Sequence, residues 1–100
     1  MAKTISMENF VGKYEKGNVN VIDVREVLEY KIGGHIPGAK NLPLSKIQKK
    51  HTELSKDENY YIVCQSGGRS AQATEFLSQA GYNVTNVQGG MGMWSGKKER

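Results

Sequence analysis

The chain has 100 residues, of which 37% are hydrophobic and 24% are charged, and its formal net charge is +4. A chain of this length builds one hydrophobic core, so we expect a single domain over residues 1–100. It has neither an apolar signal segment near its start nor the roughly 20 apolar residues that cross a bilayer, so we expect a soluble, cytoplasmic protein without a membrane partner.

The first third of the sequence predicts a helix, a strand and a short second helix. Apolar residues recur at helical spacing between Ser6, a suitable N-cap, and Gly17; they are Met7, Phe10, Val11 and Tyr14. Residues 19–24 (VNVIDV) are short and β-branched, which predicts a strand buried on both faces. Residues 26–32 form at most a short helix, which a Gly-Gly pair ends.

The middle of the sequence gives weaker signals before a second strand. After a loop at residues 34–38, residues 39–42 predict a brief strand. Ser45 is a candidate N-cap for a helix in which Ile47 and Leu54 face inward. A polar turn then leads into a second strand at residues 60–63 (YYIV).

The last third predicts a helix from about Ser70 to Gly81 and another strand at residues 83–87. A final turn follows Gly89-Gly90, and we expect its Met91 and Trp94 to pack as core or lid. Strands that alternate with helices along short connections predict an α/β fold. We expect a central, mostly parallel sheet of about four or five short strands with helices on both faces.

The single cysteine stands at the position where such a fold places ligands. Cys64 follows the strand at residues 60–63 and precedes the next helix, and open α/β sheets bind ligands beyond the carboxyl ends of their strands. Gly67 and Gly68 leave the backbone N–H groups accessible and permit a positive φ, so the loop can form an anion-binding nest around the sulfur. With the helix dipole and Arg69, such a nest lowers a thiol pKa from about 8.5. The alternative is a small buried side chain beside an ordinary turn.

Composition limits the other kinds of site. One cysteine excludes an internal disulfide and a resolving thiol within the chain, and it fits a reducing compartment. His35 and His51 are far apart and lack ligand spacing, so we predict no metal and no cofactor. The positive charge favours anionic partners, but no aromatic residues alternate with the lysines, so we expect no nucleic acid.

Four short motifs follow one another along the chain. They are Asp23-Val24-Arg25 with Glu29-Tyr30, Gly34-His35-Ile36-Pro37-Gly38-Ala39 with Asn41 and Pro43, the stretch CQSGGRS at residues 64–70, and Gly89-Gly90 with Trp94. In order and spacing they resemble the motifs of the rhodanese domains, sulfurtransferases that carry sulfur as a cysteine persulfide and whose active-site loop reads C-x-x-G-x-R-S. The resemblance extends over nearly the whole chain.

The resemblance implies a double displacement at this loop. Cys64 would be the catalytic nucleophile, taking sulfur from thiosulfate or a persulfide and passing it to cyanide, a small thiol or a protein thiol. The substrate-binding residues would be those of the loop, with Arg69 contacting the anionic donor: Gln65, Ser66, Gly67, Gly68, Arg69 and Ser70. We expect the protein to act as a monomer.

Two other functions remain open on the same fold. One is a non-catalytic module that senses persulfide or binds a partner protein. The other is a phosphatase or arsenate reductase. Phosphatases of this fold carry H-C-x5-R, whereas four residues separate Cys64 from Arg69 here and Val63 replaces the histidine. The shorter loop predicts a cradle for one sulfur atom that is too tight for phosphate.

Three further residues have open roles beside this loop. Asp23 and Arg25, at the end of the first predicted strand, either brace the loop or pair locally to close a turn. His35 is a candidate acid or metal ligand, but its motif favours a hydrogen bond that fixes its own loop. We expect His51, in a lysine-rich stretch, to face solvent.

Overall fold

The computed structural model describes residues 3–100, and within that range it has five strands, five helices and two 3-10 turns. The strands are β1 (Lys3–Ile5), β2 (Asn20–Asp23), β3 (Lys40–Asn41), β4 (Asn59–Val63) and β5 (Asn83–Val87). The helices are α1 (Met7–Lys16), α2 (Val27–Ile32), α3 (Ile47–Lys50), α4 (Gly68–Gln79) and α5 (Gly90–Met93), and the 3-10 turns are Leu44–Lys46 and His51–Glu53.

The strands form one sheet in the order β1-β5-β4-β2-β3, and every pair of neighbours is parallel. The predicted α/β fold with a central parallel sheet is therefore confirmed. β1 was not predicted, because its three residues are largely exposed and show no apolar alternation. It adds an edge strand beside β5.

Side chains alternate between two apolar cores, one on each face of the sheet. In β2, Val21 belongs to the core that contains Phe10 of α1, whereas Ile22 belongs to the core that contains Leu77 of α4. β4 alternates in the same way, with Ile62 in one core and Val63 in the other. Burial of the first predicted strand on both faces is thus confirmed, and helices cover both faces as expected.

Helix α1 follows the sequence pattern closely, and the middle of the chain departs from it. The Ser6 side chain accepts a hydrogen bond from the N–H of Asn9, at 3.1 Å, as an N-cap does. Ser45 caps no helix; its hydroxyl donates to Glu26 across 2.8 Å, and a 3-10 turn surrounds it.

Among the described residues, no helix has the length and apolar character that crossing a membrane requires.

His51 lies in a different environment from the one we expected. The expectation that it faces solvent is wrong, because the residue is half-buried. Its Nδ1 lies 3.1 Å from the Tyr82 hydroxyl, and its ring meets Phe76 edge-on. The lysine-rich sequence around His51 gave no sign of these aromatic neighbours, which come from α4 and the turn after it.

Candidate active site

The cysteine follows β4 at the carboxyl edge of the sheet, where β2 also ends. Asp23 and Val63, the last residues of the two strands, are in register with each other. Cys64 comes next and is only 1% exposed. We name residues 64–70 the cysteine loop. This loop leads into α4, which begins at Gly68. Parallel strands therefore bring the cysteine and the polar residues that follow β2 to one edge.

The cysteine loop curls around the sulfur. The backbone N–H of Gly67 donates to Cys64 Sγ at 3.0 Å, and Ser70 Oγ lies 3.4 Å from the same sulfur. Gly67 has a φ of +105°, which side-chain-bearing residues rarely adopt. Helix α4 begins two residues before the predicted start, so its first turn belongs to the loop and supplies Ser70.

These contacts favour the thiolate. Burial by itself raises the pKa of Cys64, but hydrogen bonds from the Ser70 side chain and from the backbone N–H groups of Ser70, Gly67 and Ser66 outweigh it and lower the pKa. In the structure the Ser70 hydroxyl donates to the Gly67 carbonyl at 3.1 Å and accepts from the thiol. Because a hydroxyl can rotate, it can donate to the sulfur instead once the thiolate forms. The cysteine loop can thus hold a nucleophilic sulfur without a neighbouring base.

Arg69 has a partner that the sequence analysis did not assign. Its guanidinium donates to both oxygens of Glu29 in α2, at 2.6 and 2.8 Å. The hydrogen bond from Arg69 lowers the pKa of Glu29 to about 2. Both side chains are partly exposed, at 36% for Arg69 and 39% for Glu29. Contact of Arg69 with an anionic donor remains a prediction. Such a donor has to share Arg69 with Glu29 or displace the Glu29 carboxylate from it.

Asp23 and Arg25 form a buried pair that also reaches the cysteine loop. The Arg25 side chain donates to the Asp23 carboxylate at 2.8 to 3.1 Å, and the Arg25 backbone N–H donates to the same group at 2.9 Å. A further N–H of Arg25 donates to the Gly34 carbonyl at 2.7 Å, and another lies 3.5 Å from Gln65 Oε1. The pair closes its own turn, and it braces the neighbouring loop through Gly34.

His35 fixes the connection that follows α2. Its Nδ1 lies 3.1 Å from the Tyr30 carbonyl, and its ring stacks on the Tyr30 ring with centroids 3.7 Å apart. Its backbone N–H and carbonyl both bond Glu99. These contacts agree with the loop-fixing hydrogen bond favoured by the sequence. In the described part of the chain, no three His, Cys, Asp or Glu residues gather in a way that could hold a metal ion.

A second glycine-rich segment, residues 89–92, supports the cysteine loop through backbone hydrogen bonds. The N–H of Met91 donates to the Cys64 carbonyl at 2.7 Å, and the N–H of Gly92 donates to the Gln65 carbonyl at 2.9 Å. A Cβ on Gly90 would lie 2.1 Å from the Cys64 carbonyl oxygen. We name this stretch the glycine segment.

A family model described as the rhodanese-like domain matches residues 6–97, a span that contains both the cysteine loop and the glycine segment. The chain belongs to the rhodanese-like domain family. The resemblance inferred from the four motifs is therefore confirmed.

Curated relatives of this rhodanese-like domain include proteins named for sulfur chemistry. YrkF of Bacillus subtilis (strain 168), whose name proposes a sulfur carrier protein, is 40% identical over 97 residues. The match covers 95% of this chain and 52% of YrkF, so the chain spans about half of that relative. A protein of Allochromatium vinosum named sulfurtransferase is 39% identical over 79 residues, covering 78% of this chain and 73% of its own.

Solved structures agree with the fold. The SSP1007 protein of Staphylococcus saprophyticus is 37% identical, with a TM-score of 0.90, and the match covers 98% of this chain and 99% of that one. A NAD-dependent persulfide reductase from A. fulgidus is 26% identical, with a TM-score of 0.73 over 93% of this chain and 16% of its own.

Sequence reasoning missed two contacts of this rhodanese-like site. Glu29 was part of a quoted motif, but its partner Arg69 lies 40 residues further along the chain and no spacing rule connects them. The support from the glycine segment had one signal, the Gly89-Gly90 pair after a strand. The pair by itself does not show that N–H groups of this segment donate to carbonyls of the cysteine loop.

Proposed function

We propose that this rhodanese-like domain is a sulfurtransferase that carries sulfane sulfur on Cys64 as a persulfide. The observation that carries the proposal is the Gly67 N–H directed at Cys64 Sγ across 3.0 Å, in a loop that lowers the thiol pKa. A persulfide places negative charge on a sulfur one bond beyond Sγ. The loop N–H groups of residues 65–70 are the donors that stabilise this charge.

In the first half-reaction, the Cys64 thiolate attacks the outer sulfur of thiosulfate or of a persulfide. A bond forms between Sγ and that sulfur. The bond joining that sulfur to the rest of the donor breaks, and its electron pair leaves with sulfite or with the donor thiolate. No net oxidation or reduction occurs, so the step needs no redox cofactor.

In the second half-reaction, a thiophilic acceptor attacks the outer sulfur of the Cys64 persulfide and restores the thiolate. Cys64 is the only cysteine of the chain, so the acceptor is an external group such as cyanide, a small thiol or a protein thiol. The names of the sulfurtransferase and persulfide reductase relatives support a partner of this kind. A free reactive thiol also favours a reducing location such as the cytoplasm.

The length of the cysteine loop argues against phosphoryl transfer. Four residues separate Cys64 from Arg69, and the Gly67 N–H already lies against the sulfur. Val63 is buried on the face opposite α4 and supplies no imidazole. Turnover of an aryl phosphate or of arsenate would favour a phosphatase or arsenate reductase instead.

Steady-state transfer from thiosulfate to cyanide tests the proposal. We expect parallel double-reciprocal plots, the pattern of a double displacement, and loss of turnover in Cys64→Ser. A protein that turns over no sulfane donor, or a Cys64→Ser variant that keeps the activity, would refute the proposal. A protein that loads sulfur but transfers it to no acceptor would be a persulfide-sensing module.

A further inference from the structure

The two arginines at the cysteine loop are both engaged by carboxylates. Arg25 is 3% exposed and is held by Asp23, with its outer N–H groups on Gly34 and near Gln65. Arg69 is held by Glu29 through two parallel hydrogen bonds. A bidentate pair occupies the edge of the guanidinium whose N–H groups would otherwise hold a carboxylate, phosphate or sulfonate.

The classes of sulfur donor differ in their need for such a cation. Thiosulfate presents a sulfonate group beside the sulfur that is transferred, and this group requires a charged partner once it leaves water. A persulfide presents its outer sulfur on a thiol and has no oxyanion next to it. The N–H groups of the cysteine loop, with Gly67 N–H already 3.0 Å from Sγ, can receive that sulfur without Arg69.

We infer that Glu29 is a specificity-determining residue, which occupies Arg69 and so disfavours sulfonate-bearing donors relative to persulfides. The inference rests on the proposed function and narrows its donor class. Glu29 acts through Arg69 and is a positioning residue. The side chains of both partners are more than a third exposed, so the ion pair can open. Glu29 therefore lowers the reactivity toward sulfonate-bearing donors without excluding them.

Glu29→Gln separates this role from simple support of the fold. Glu29 also accepts a hydrogen bond from the N–H of Glu26 in the capping box of α2, and a glutamine oxygen can keep that bond. The substitution removes the charge that holds Arg69 and retains the helix start. Glu53→Gln is the matched control, because it makes the same change of charge in a groove that is also lined by Asn20 and Tyr60, near the amino ends of β2 and β4.

The experiment compares rates of sulfur loading on Cys64 from thiosulfate and from an alkyl persulfide without a carboxylate, 2-hydroxyethyl persulfide, measured by quenched intact-mass analysis. In Glu29→Gln we expect the ratio of the two second-order rate constants, thiosulfate over persulfide, to rise about fivefold. The rise should come from a lower half-saturating thiosulfate concentration rather than from a faster maximal rate. In Glu53→Gln the ratio should stay as in the unchanged protein.

A second variant covers the case in which Glu29→Gln fails to fold. Glu29→Asp keeps the charge but withdraws it from Arg69, so the ratio should rise in the same direction by a smaller factor. An unchanged or lower ratio in a folded variant, with both donors still loading Cys64, would overturn the inference and leave the proposed function intact. Failure of both donors to load the unchanged protein would overturn both.

Discussion

The ionisation of Cys64 depends on one side chain and a few backbone groups. Gly67 N–H and Ser70 Oγ both approach Sγ, and the sulfur is almost fully buried. Since burial alone raises a thiol pKa, the hydrogen bonds decide its direction. Of these donors, the Ser70 hydroxyl is the one that a substitution can remove without changing the backbone.

Ser70→Ala should raise the pKa of Cys64. With a lowered pKa, the unchanged protein forms thiolate as the pH rises through a value below that of a free cysteine, about 8.5. The variant loses one hydrogen bond to the thiolate, so its thiolate should form at higher pH and its alkylation at pH 7 should slow several-fold. The measurement is the pH dependence of the alkylation rate.

Ser78→Ala is the matched control, because Ser78 is half-buried on the same helix but lies two turns beyond Ser70. Its pH profile should match that of the unchanged protein. If Ser70→Ala alkylates with an unchanged or lower pKa, the hydroxyl does not stabilise the thiolate.

For single residues, the sequence indicated which residues form the site better than it indicated which of them contact one another. Cys64 and the loop around it could be predicted because strand, glycines and helix follow one another without a break. The pairing of Arg69 with Glu29 could not, since it depends on where α2 packs. Arg25 shows the same limit: its bond to Asp23 is local, whereas its bond to Gly34 depends on the fold of the next loop.

At the scale of elements, the cysteine loop depends on the glycine segment. Gly90 has a φ of +54°, and the N–H of Met91 donates to the Cys64 carbonyl at 2.7 Å. This bond fixes the carbonyl of the residue that carries the sulfur. The end of β5 and the end of β4 are therefore joined at the site by backbone contacts.

Gly90→Ala should lower both the stability of the protein and the rate of sulfur loading. The added Cβ would meet the Cys64 carbonyl oxygen at 2.1 Å, so one of the two segments has to move. We expect a loss of about 1–3 kcal/mol in the free energy of unfolding, as for other overpacked sites. Urea unfolding and the loading rate from persulfide measure the two effects.

Gly12→Ala is the control substitution, since a Cβ at this exposed position in α1 has no neighbour within 4 Å. Alanine favours a helix over glycine, so this variant should gain about 0.5–1 kcal/mol and load sulfur normally. Equal stability and loading in Gly90→Ala and Gly12→Ala would show that the glycine segment does not support the cysteine loop.

At the scale of the whole molecule, the alternation of strands and helices was sufficient to predict the fold class. Strands buried on both faces, such as β2 and β4, give continuous apolar runs that can be recognised in sequence. β1 gives no such run, because it is a short edge strand whose pairing with β5 depends on the finished sheet. The single-domain organisation and the monomeric state remain predictions.

Sulfur transfer by this protein depends on a persulfide that forms on Cys64 and is then passed on. Intact-mass analysis of one cycle of loading and discharge tests this directly. The protein is incubated with a sulfane donor, desalted and then given excess thiol. We predict one added sulfur per chain after loading, its loss after the thiol, and no addition in Cys64→Ser. The absence of any adduct, or an adduct that also forms in Cys64→Ser, would contradict this role of Cys64.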